Sequence, residues 1–169
     1  IGTADILINN AGTSDPKRFK DLDEESWNYV LNTNLNGAYR VAKNFTDQLI
    51  KSKKSGSIVN IASILGLRVG FNLSSYATAK AGLIQLTKSM ALELARSNIR
   101  VNAIAPGYIL TEINDDFFAT KEGQDYINNI PMRRLGLESD LDGILLLLAS
   151  DASSFMTGSI IPVDGGHLN

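Results

Sequence analysis

Short apolar segments alternate with longer segments of helical periodicity along this chain of 169 residues. Continuous apolar runs with turn residues after them predict strands at 5–10, 57–62, 99–105 and 159–163. Apolar residues at helical spacing predict helices over 24–51, 76–96 and 139–149. Strands that are apolar throughout and separated by helices are typical of a parallel sheet covered on both faces. We therefore predict an α/β fold with a doubly wound parallel sheet, formed by 1–169 as a single domain.

Composition excludes several classes of function. The chain has no cysteine, which excludes a disulfide framework, a thiolate metal site and a cysteine nucleophile, and we expect no metal site. His167 is the only histidine, which argues against a serine–histidine–aspartate triad. The net charge of −2 argues against nucleic acid as a partner. The longest apolar run, 144–149, is too short to span a membrane, and we expect a cytoplasmic protein.

The residues that follow the predicted strands are the first candidates for a functional site. Parallel sheets bind ligands beyond the carboxyl ends of their strands. The first strand leads into Asn10 and Gly12, the second into Ser63, and the third into Pro106 and Gly107. We expect these positions to lie along one edge of the sheet.

Tyr76 and Lys80 share one face of a predicted helix because they are four residues apart. A tyrosine hydroxyl has a reference pKa near 10, and a nearby ammonium group lowers it by stabilising the phenolate. Ser63, thirteen residues before Tyr76, follows a strand and can hydrogen-bond a carbonyl or alcohol oxygen. The three side chains combine a proton donor or acceptor, a charge that tunes it, and a substrate hydrogen bonder.

Taken together, these motifs make the chain resemble the short-chain dehydrogenase/reductase family. The likeness runs through the whole chain, in family order and at family-like spacing. It is carried by NNAG at 9–12, Asn34 in LNTNLNG, Ser63 in NIAS, Tyr76 and Lys80 in YATAK, PGYILT at 106–111 and DGG at 164–166.

The resemblance implies an oxidoreductase that interconverts an alcohol and a ketone by hydride transfer with NAD or NADP. It implies that Tyr76 is the catalytic acid/base, that Lys80 lowers its pKa and contacts the cofactor ribose, and that Ser63 positions the substrate oxygen. Asn34 would hold a water in a proton relay. The implied cofactor-binding residues are Asn10, Ala11, Gly12, Tyr76, Lys80, Pro106, Gly107, Ile109 and Thr111.

Further expectations concern the lid, the chain end and the assembly. The resemblance implies that the segment of about 112–132 closes over a small carbonyl or alcohol substrate. It also implies that the two long helices pair in a homo-oligomer, a dimer or a homotetramer. We expect a structural turn near a subunit interface at 164–166, with His167 as a surface or interface residue.

The sequence also departs from the family. The glycine-rich TGxxxGxG turn is absent, and the chain starts about where the fourth strand of such a fold would start. We therefore expect the C-terminal two-thirds of a Rossmann-like fold from a longer protein. The residues that select NAD or NADP lie outside this sequence, so both cofactors stay open.

Two alternatives to an active enzyme remain, as do two substrate classes. The chain could be a non-catalytic nucleotide-binding relative, or an inert fragment of a longer enzyme. The stretches IAPGYILT and PMRRLG resemble both 3-oxoacyl-carrier-protein reductases and dehydrogenases of sugar acids and polyols. Arg133 and Arg134 are candidates for contact with an acyl carrier.

Overall fold

Four parallel strands form the centre of the computed structural model, which describes residues 2–110 and 115–169. They are neighbours in chain order within one sheet. The strands are β1 (Ile6–Asn9), β2 (Gly56–Ile61), β3 (Ile99–Pro106) and β4 (Ile160–Val163). Helices connect them, and the predicted α/β fold with a doubly wound, Rossmann-like parallel sheet is confirmed.

The described part of the chain contains six α-helices. Three of them, with the sheet, account for most of the core. The helices are α1 (Glu24–Leu31), α2 (Ala38–Ser52), α3 (Ser74–Leu94), α4 (Asp115–Ala119), α5 (Lys121–Asn128) and α6 (Asp142–Ala149).

The single helix predicted over 24–51 is interrupted. A π-helical stretch, Asn32–Gly37, separates α1 from α2. Helix α1 begins as predicted, because the Asp23 carboxylate accepts a hydrogen bond of 2.7 Å from the Ser26 backbone N–H. The interruption brings Asn34 to a buried position beside the loop that follows β1.

The last predicted helix starts later than expected. A 3₁₀ turn, Glu138–Leu141, precedes α6, which begins at Asp142. The Asp140 carboxylate accepts from the Leu137 backbone N–H at 2.7 Å, so it closes the turn and does not cap α6.

Helices cover the two faces of the sheet to different extents. On one face α2 and α3 pack against β1, β2 and β3, with Leu49, Ile58 and Val101 fully buried between them. On the other face α6 packs against β2 and β3 through Leu148, Val59 and Ile104. Apolar side chains at alternating positions along β2 therefore enter two separate cores.

The prediction that the first strand is buried on both faces is wrong. Ile6 and Ile8 are 46% and 41% exposed, whereas Leu7 packs into the core beneath α2 and α3. β1 pairs only with β2 among the described strands, and α6 packs over β2 and β3. The alternate side chains of β1 therefore point to a face that α6 does not cover. Val41 of α2 is also 50% exposed.

Candidate active site

A cavity of about 420 Å³ lies beyond the carboxyl ends of β1, β2 and β3. Because these strands are parallel neighbours, the loops that follow them meet at one edge of the sheet, as predicted. The cavity is lined by Asn10, Gly12, Thr13, Ser14, Ile61, Ala62, Ser63, Tyr76, Lys80, Pro106 and Gly107.

Ser63 is held at the end of β2 by its local backbone. Its Oγ accepts a hydrogen bond of 3.1 Å from the Leu65 N–H and so caps the 3₁₀ turn Ile64–Gly66. The residue is buried, and its side chain also hydrogen-bonds with Tyr76. Ser63 therefore presents its hydroxyl to the tyrosine that the sequence singles out.

Tyr76 lies in the first turn of α3, and Lys80 lies one turn further along the same face. The Lys80 ammonium nitrogen is 5.6 Å from the centre of the Tyr76 ring. The same nitrogen donates a 2.7 Å hydrogen bond to the Ile61 carbonyl oxygen at the end of β2. Ser63, Tyr76 and Lys80 thus meet at one cavity wall, where the sequence predicts them.

Burial shifts the pKa values of the two titratable groups in opposite directions. It raises the pKa of the Tyr76 hydroxyl, and the hydrogen bond with Ser63 offsets part of that rise. It lowers the pKa of Lys80 from 10.5 to about 8. Both shifts have the same origin, because a buried site disfavours the charged form of either group. Lowering of the Tyr76 pKa by Lys80 stays a prediction.

Asn34 holds the loop that follows β1. Its Oδ1 accepts from the Thr13 N–H and its Nδ2 donates to the Thr13 carbonyl oxygen, both at 2.7 Å. The side chain is buried, and both of its polar ends are committed to this loop. A proton relay through Asn34 stays a prediction, whereas its anchoring of Thr13 is visible in the structure.

Gly12 lies between Asn34 and Lys80. A Cβ atom there would lie 3.3 Å from Asn34 Oδ1 and 3.5 Å from Lys80 Nζ. The missing side chain leaves the cavity wall open at the position where Lys80 reaches it.

A second cavity, of about 310 Å³, adjoins the first. The two share Ser63 and Tyr76 in their walls. Its outer wall includes Leu73, Tyr108 and Ile109. Tyr108 was not predicted as a site residue, although its place inside the PGYILT motif could have marked it.

Tyr108 connects this second cavity to the segment predicted as a lid. Its ring makes edge-on contacts with the rings of Phe118 and Tyr126, with centroids 5.8 Å apart in both cases. Two short helices, α4 and α5, carry these residues. A lid role for about 112–132 stays a prediction.

The residues predicted to bind the cofactor do not all line the same cavity. Six of them line the first cavity: Asn10, Gly12, Tyr76, Lys80, Pro106 and Gly107. Ala11 is exposed on the same loop and does not line the cavity. Ile109 lines the second cavity, and Thr111 lies outside the described residues.

The predicted turn at 164–166 is present. The two carboxylate oxygens of Asp164 accept 2.9 Å hydrogen bonds from the backbone N–H groups of Gly166 and Leu168. His167 is only half-exposed and its ring lies 5.5 Å from that of Tyr108, so it packs behind the second cavity. Its role at a subunit interface stays a prediction.

Residues 2–110 and 115–169 lack two kinds of feature. No helix there is long and apolar enough to cross a membrane. No group of three or more histidine, cysteine, aspartate or glutamate side chains there could hold a metal ion.

The known proteins that this chain resembles include reductases and dehydrogenases. The family model described as enoyl-(acyl carrier protein) reductase matches residues 1–167. A 3-oxoacyl-[acyl-carrier-protein] reductase of Thermotoga maritima is 40% identical over 165 residues, which cover 98% of this chain and 66% of that protein. A 2-dehydro-3-deoxy-D-gluconate 5-dehydrogenase of Bacillus subtilis is 41% identical over 169 residues, which cover 98% of this chain and 65% of that protein.

A solved structure shows the same fold. The gluconate 5-dehydrogenase of Burkholderia cenocepacia, in complex with NADP and tartrate, matches with a TM-score of 0.95 and 32% identity over 99% of this chain and 66% of that one. The present chain spans about two thirds of the length of the relatives it matches. The match along nearly the whole chain shows that it belongs to the short-chain dehydrogenase/reductase family.

Proposed function

We propose that this chain carries the catalytic part of an NAD(P)-dependent oxidoreductase that interconverts an alcohol and a ketone. The observation that carries the proposal is the meeting of Ser63, Tyr76 and Lys80 at one cavity beyond the carboxyl ends of three parallel strands. Relatives that include reductases and dehydrogenases support the same class of reaction.

The first cavity has the features that a nicotinamide cofactor needs. Its wall beside β1 is bare backbone at Gly12, and Lys80 reaches that wall with its ammonium group. Gly107 and Pro106 close the opposite side. A nicotinamide cofactor, when bound, supplies or accepts the hydride. Asn10, Gly12, Lys80 and Gly107 would hold it.

Tyr76 moves the proton in this proposal. In the direction of reduction the carbonyl carbon gains a hydride, and the Tyr76 hydroxyl donates its proton to the carbonyl oxygen, giving an alcohol. The raised pKa of Tyr76 keeps the hydroxyl protonated at neutral pH, which suits this step. Ser63 donates a hydrogen bond to the same oxygen, and Lys80 stabilises the phenolate that remains.

The substrate class stays open between 3-oxoacyl thioesters and sugar acids, which the names of the relatives represent. Turnover of a 3-oxoacyl thioester against a keto-gluconate separates the two.

We also propose a homo-oligomer formed through α2 and α3. Val41 on α2 and Leu92 on α3 are 50% and 82% exposed, which supports it. The cytoplasm stays the expected compartment.

Replacing Tyr76 by phenylalanine tests the reaction. Tyr76→Phe keeps the ring and removes the hydroxyl, so we expect ketone reduction to fall by about 100- to 10,000-fold. Cofactor binding, followed by the fluorescence of NADPH or NADH, is expected to stay within about twofold, because the hydroxyl is a small part of that contact. Steady-state turnover with both cofactors is the measurement.

The control is Tyr39→Phe, which removes a hydroxyl from an exposed tyrosine of α2. Its turnover should equal that of the unchanged protein. Unchanged turnover in Tyr76→Phe would overturn the proposal. Cofactor binding without turnover of any ketone by the unchanged protein would favour the non-catalytic alternative.

A further inference from the structure

A third cavity continues from the substrate side of the site. It has a volume of about 680 Å³ and shares Leu73 and Tyr108 with the second cavity. A substrate whose carbonyl lies between Ser63 and Tyr76 can therefore extend past Tyr108 into this space. Its wall includes Arg18, Phe19, Arg68, Val69, Phe71 and Tyr108.

The third cavity has a cationic and an apolar part. Phe19, Val69 and Phe71 are 79%, 82% and 92% exposed, so they form an apolar rim open to solvent. Arg18 and Arg68 supply the charge, and none of the described aspartate or glutamate residues lines the wall. Arg18 already pairs with Asp21, whose carboxylate lies 2.8 Å from its Nε.

Arg68 has no such partner among the residues that the structure describes. One N–H of its guanidinium donates a 3.0 Å hydrogen bond to the His167 carbonyl oxygen. This contact fixes the end of the side chain, and the planar group has further N–H donors that no described residue accepts from. An anchored guanidinium with free parallel donors matches the two oxygens of a carboxylate.

The turn at the end of the chain supports this anchor. Asp164 accepts from the N–H groups of Gly166 and Leu168, and the His167 N–H bonds to the Asp164 carbonyl oxygen at 3.3 Å. These bonds hold the His167 carbonyl oxygen where Arg68 meets it. The 164–166 motif thereby contributes to the position of a side chain at the site, although it does not line the third cavity.

We infer that Arg68 binds the carboxylate of the substrate, so that the preferred substrate is a small oxo acid or hydroxy acid whose reacting carbon lies at Tyr76. The inference rests on the proposed function and deepens it by naming the substrate class. Arg68 is a specificity-determining residue and takes no part in moving the hydride or the proton.

His167 provides a reporter of this site that does not depend on turnover. Burial lowers the pKa of His167, the positive charge of Arg68 lowers it further, and Asp164 opposes both. The other titratable group against the ring is Tyr108. A carboxylate bound to Arg68 neutralises part of the charge that faces the imidazole, so it raises the pKa of His167. His167 is the only histidine of the chain, and its NMR signal needs no assignment.

The experiment is an NMR pH titration of His167 in this chain with saturating oxidised cofactor. The probes are tartrate and threitol, which share a four-carbon skeleton and differ in the two carboxylates. We expect tartrate to raise the pKa of His167 in the unchanged protein, and threitol to leave it unchanged. In Arg68→Met the pKa should already be higher without a ligand, and tartrate should add nothing. The control is Arg96→Met, which removes an exposed arginine that lines none of the three cavities.

Turnover provides the second measurement. For Arg68→Met we expect kcat/KM on a keto-gluconate to fall roughly 10- to 100-fold, the value of a charge-assisted hydrogen bond. The corresponding keto sugar without the carboxylate should change by less than about threefold, since it makes no such bond. Arg68→Lys should recover part of the loss, because it restores the charge without the planar fork.

The outcomes separate the two proposals. If tartrate shifts His167 equally in the unchanged protein and in Arg68→Met, or in neither, the inference about Arg68 is overturned and the oxidoreductase proposal stands. An equal loss of kcat/KM on the acid and the neutral sugar overturns it as well. If Tyr76→Phe retains turnover, the proposed mechanism fails, and the His167 titration still decides whether Arg68 binds a carboxylate.

Discussion

Tyr76 and Lys80 show how one environment acts on two chemical groups. Both lie at the junction of β2 and α3, and burial favours the neutral form of each. At neutral pH this leaves the tyrosine as a proton donor and Lys80 still largely charged, since its pKa of about 8 lies above that pH. The charge of Lys80 is therefore sensitive to pH just above neutrality.

The depressed pKa of Lys80 predicts a specific pH dependence of stability. A lysine whose pKa is lower in the folded state binds fewer protons than the unfolded chain between about pH 8 and pH 10.5. Stability rises with pH in that window, because the folded state no longer has to bury the charge. We expect Lys80 to add up to about 3 kcal/mol to the free energy of unfolding across it.

Urea unfolding of the unchanged protein and of Lys80→Met, on both sides of this window, measures the effect. The difference in unfolding free energy between the two should shift in favour of the unchanged protein as pH rises. Comparing the two proteins removes the contribution of the other titrating groups. A difference that is the same at both ends of the window would contradict the prediction.

At the scale of elements, the site depends on how closely the loop after β2 approaches α3. Gly66 ends the short turn that Ser63 caps, and a Cβ there would lie 2.8 Å from the Lys80 carbonyl carbon and 2.9 Å from its oxygen. These are backbone atoms of α3, which cannot move aside as a flexible side chain can. The close packing of this turn against α3 therefore sets the distance between Ser63 and the face of α3 that carries Tyr76 and Lys80.

Gly66→Ala is expected to destabilise the protein by about 1–3 kcal/mol, because the added methyl group forces the turn away from α3. It should also lower turnover more than cofactor affinity, since Ser63 moves relative to Tyr76. Urea unfolding and steady-state kinetics measure the two effects.

Gly143→Ala is the matched control, since nothing lies within 4 Å of a Cβ at this exposed position in the first turn of α6. It should leave turnover unchanged and stabilise the protein by roughly 0.5–1 kcal/mol through helix propensity. Equal stability effects of the two substitutions would refute the close approach at Gly66.

At the scale of the molecule, a buried chain of polar side chains ties the sheet to α3. Asn9 Nδ2 donates to Asn60 Oδ1, and Asn60 Nδ2 donates to Thr87 Oγ1, both at 2.8 Å. Thr87 in turn donates to the Leu83 carbonyl oxygen at 2.8 Å. Asn60 and Thr87 are fully buried, so these bonds connect β1, β2 and α3 within the core, beneath the loops that follow the first two strands.

We expect Asn60→Ala to destabilise the protein by about 2–3 kcal/mol, because Asn9 and Thr87 each lose a buried partner. The exposed Asn36, whose Nδ2 donates to Asn32 Oδ1, provides the control. Asn36→Ala should cost less than about 0.5 kcal/mol. Thermal and urea unfolding measure both variants, and comparable losses would argue against a stabilising role for the buried chain.

The local sequence was sufficient for the order of the elements and for the central triad. Strand and helix periods are set by neighbours a few residues apart, and Ser63, Tyr76 and Lys80 lie on consecutive elements joined by a short connection. Their relative positions follow from the spacing along one strand, one turn and one helix. The loop ends at Gly12 and Gly107 were predictable as well, because parallel strands place their carboxyl ends together.

Other features depended on contacts between residues far apart in the chain, which no local pattern contains. The π-helical stretch at Asn32–Gly37 brings Asn34 to Thr13, and the sequence there reads as ordinary helix. The exposure of Ile6 and Ile8 depends on which strands α6 covers, and not on their own apolar character.

Arg68 is the clearest case of a residue that only the tertiary structure could assign. Arg68 is 99 residues from its hydrogen-bond partner His167 along the chain, and only the fold brings the two together beside Tyr108. The sequence around Arg68 therefore does not indicate a binding role. Sequence alone determined the periodicity, the order of the elements and the chemistry of the triad, because these rest on short-range spacing. The tertiary structure decided which charges lie unpaired beside that triad and which side chains are buried, because both depend on packing across the whole chain.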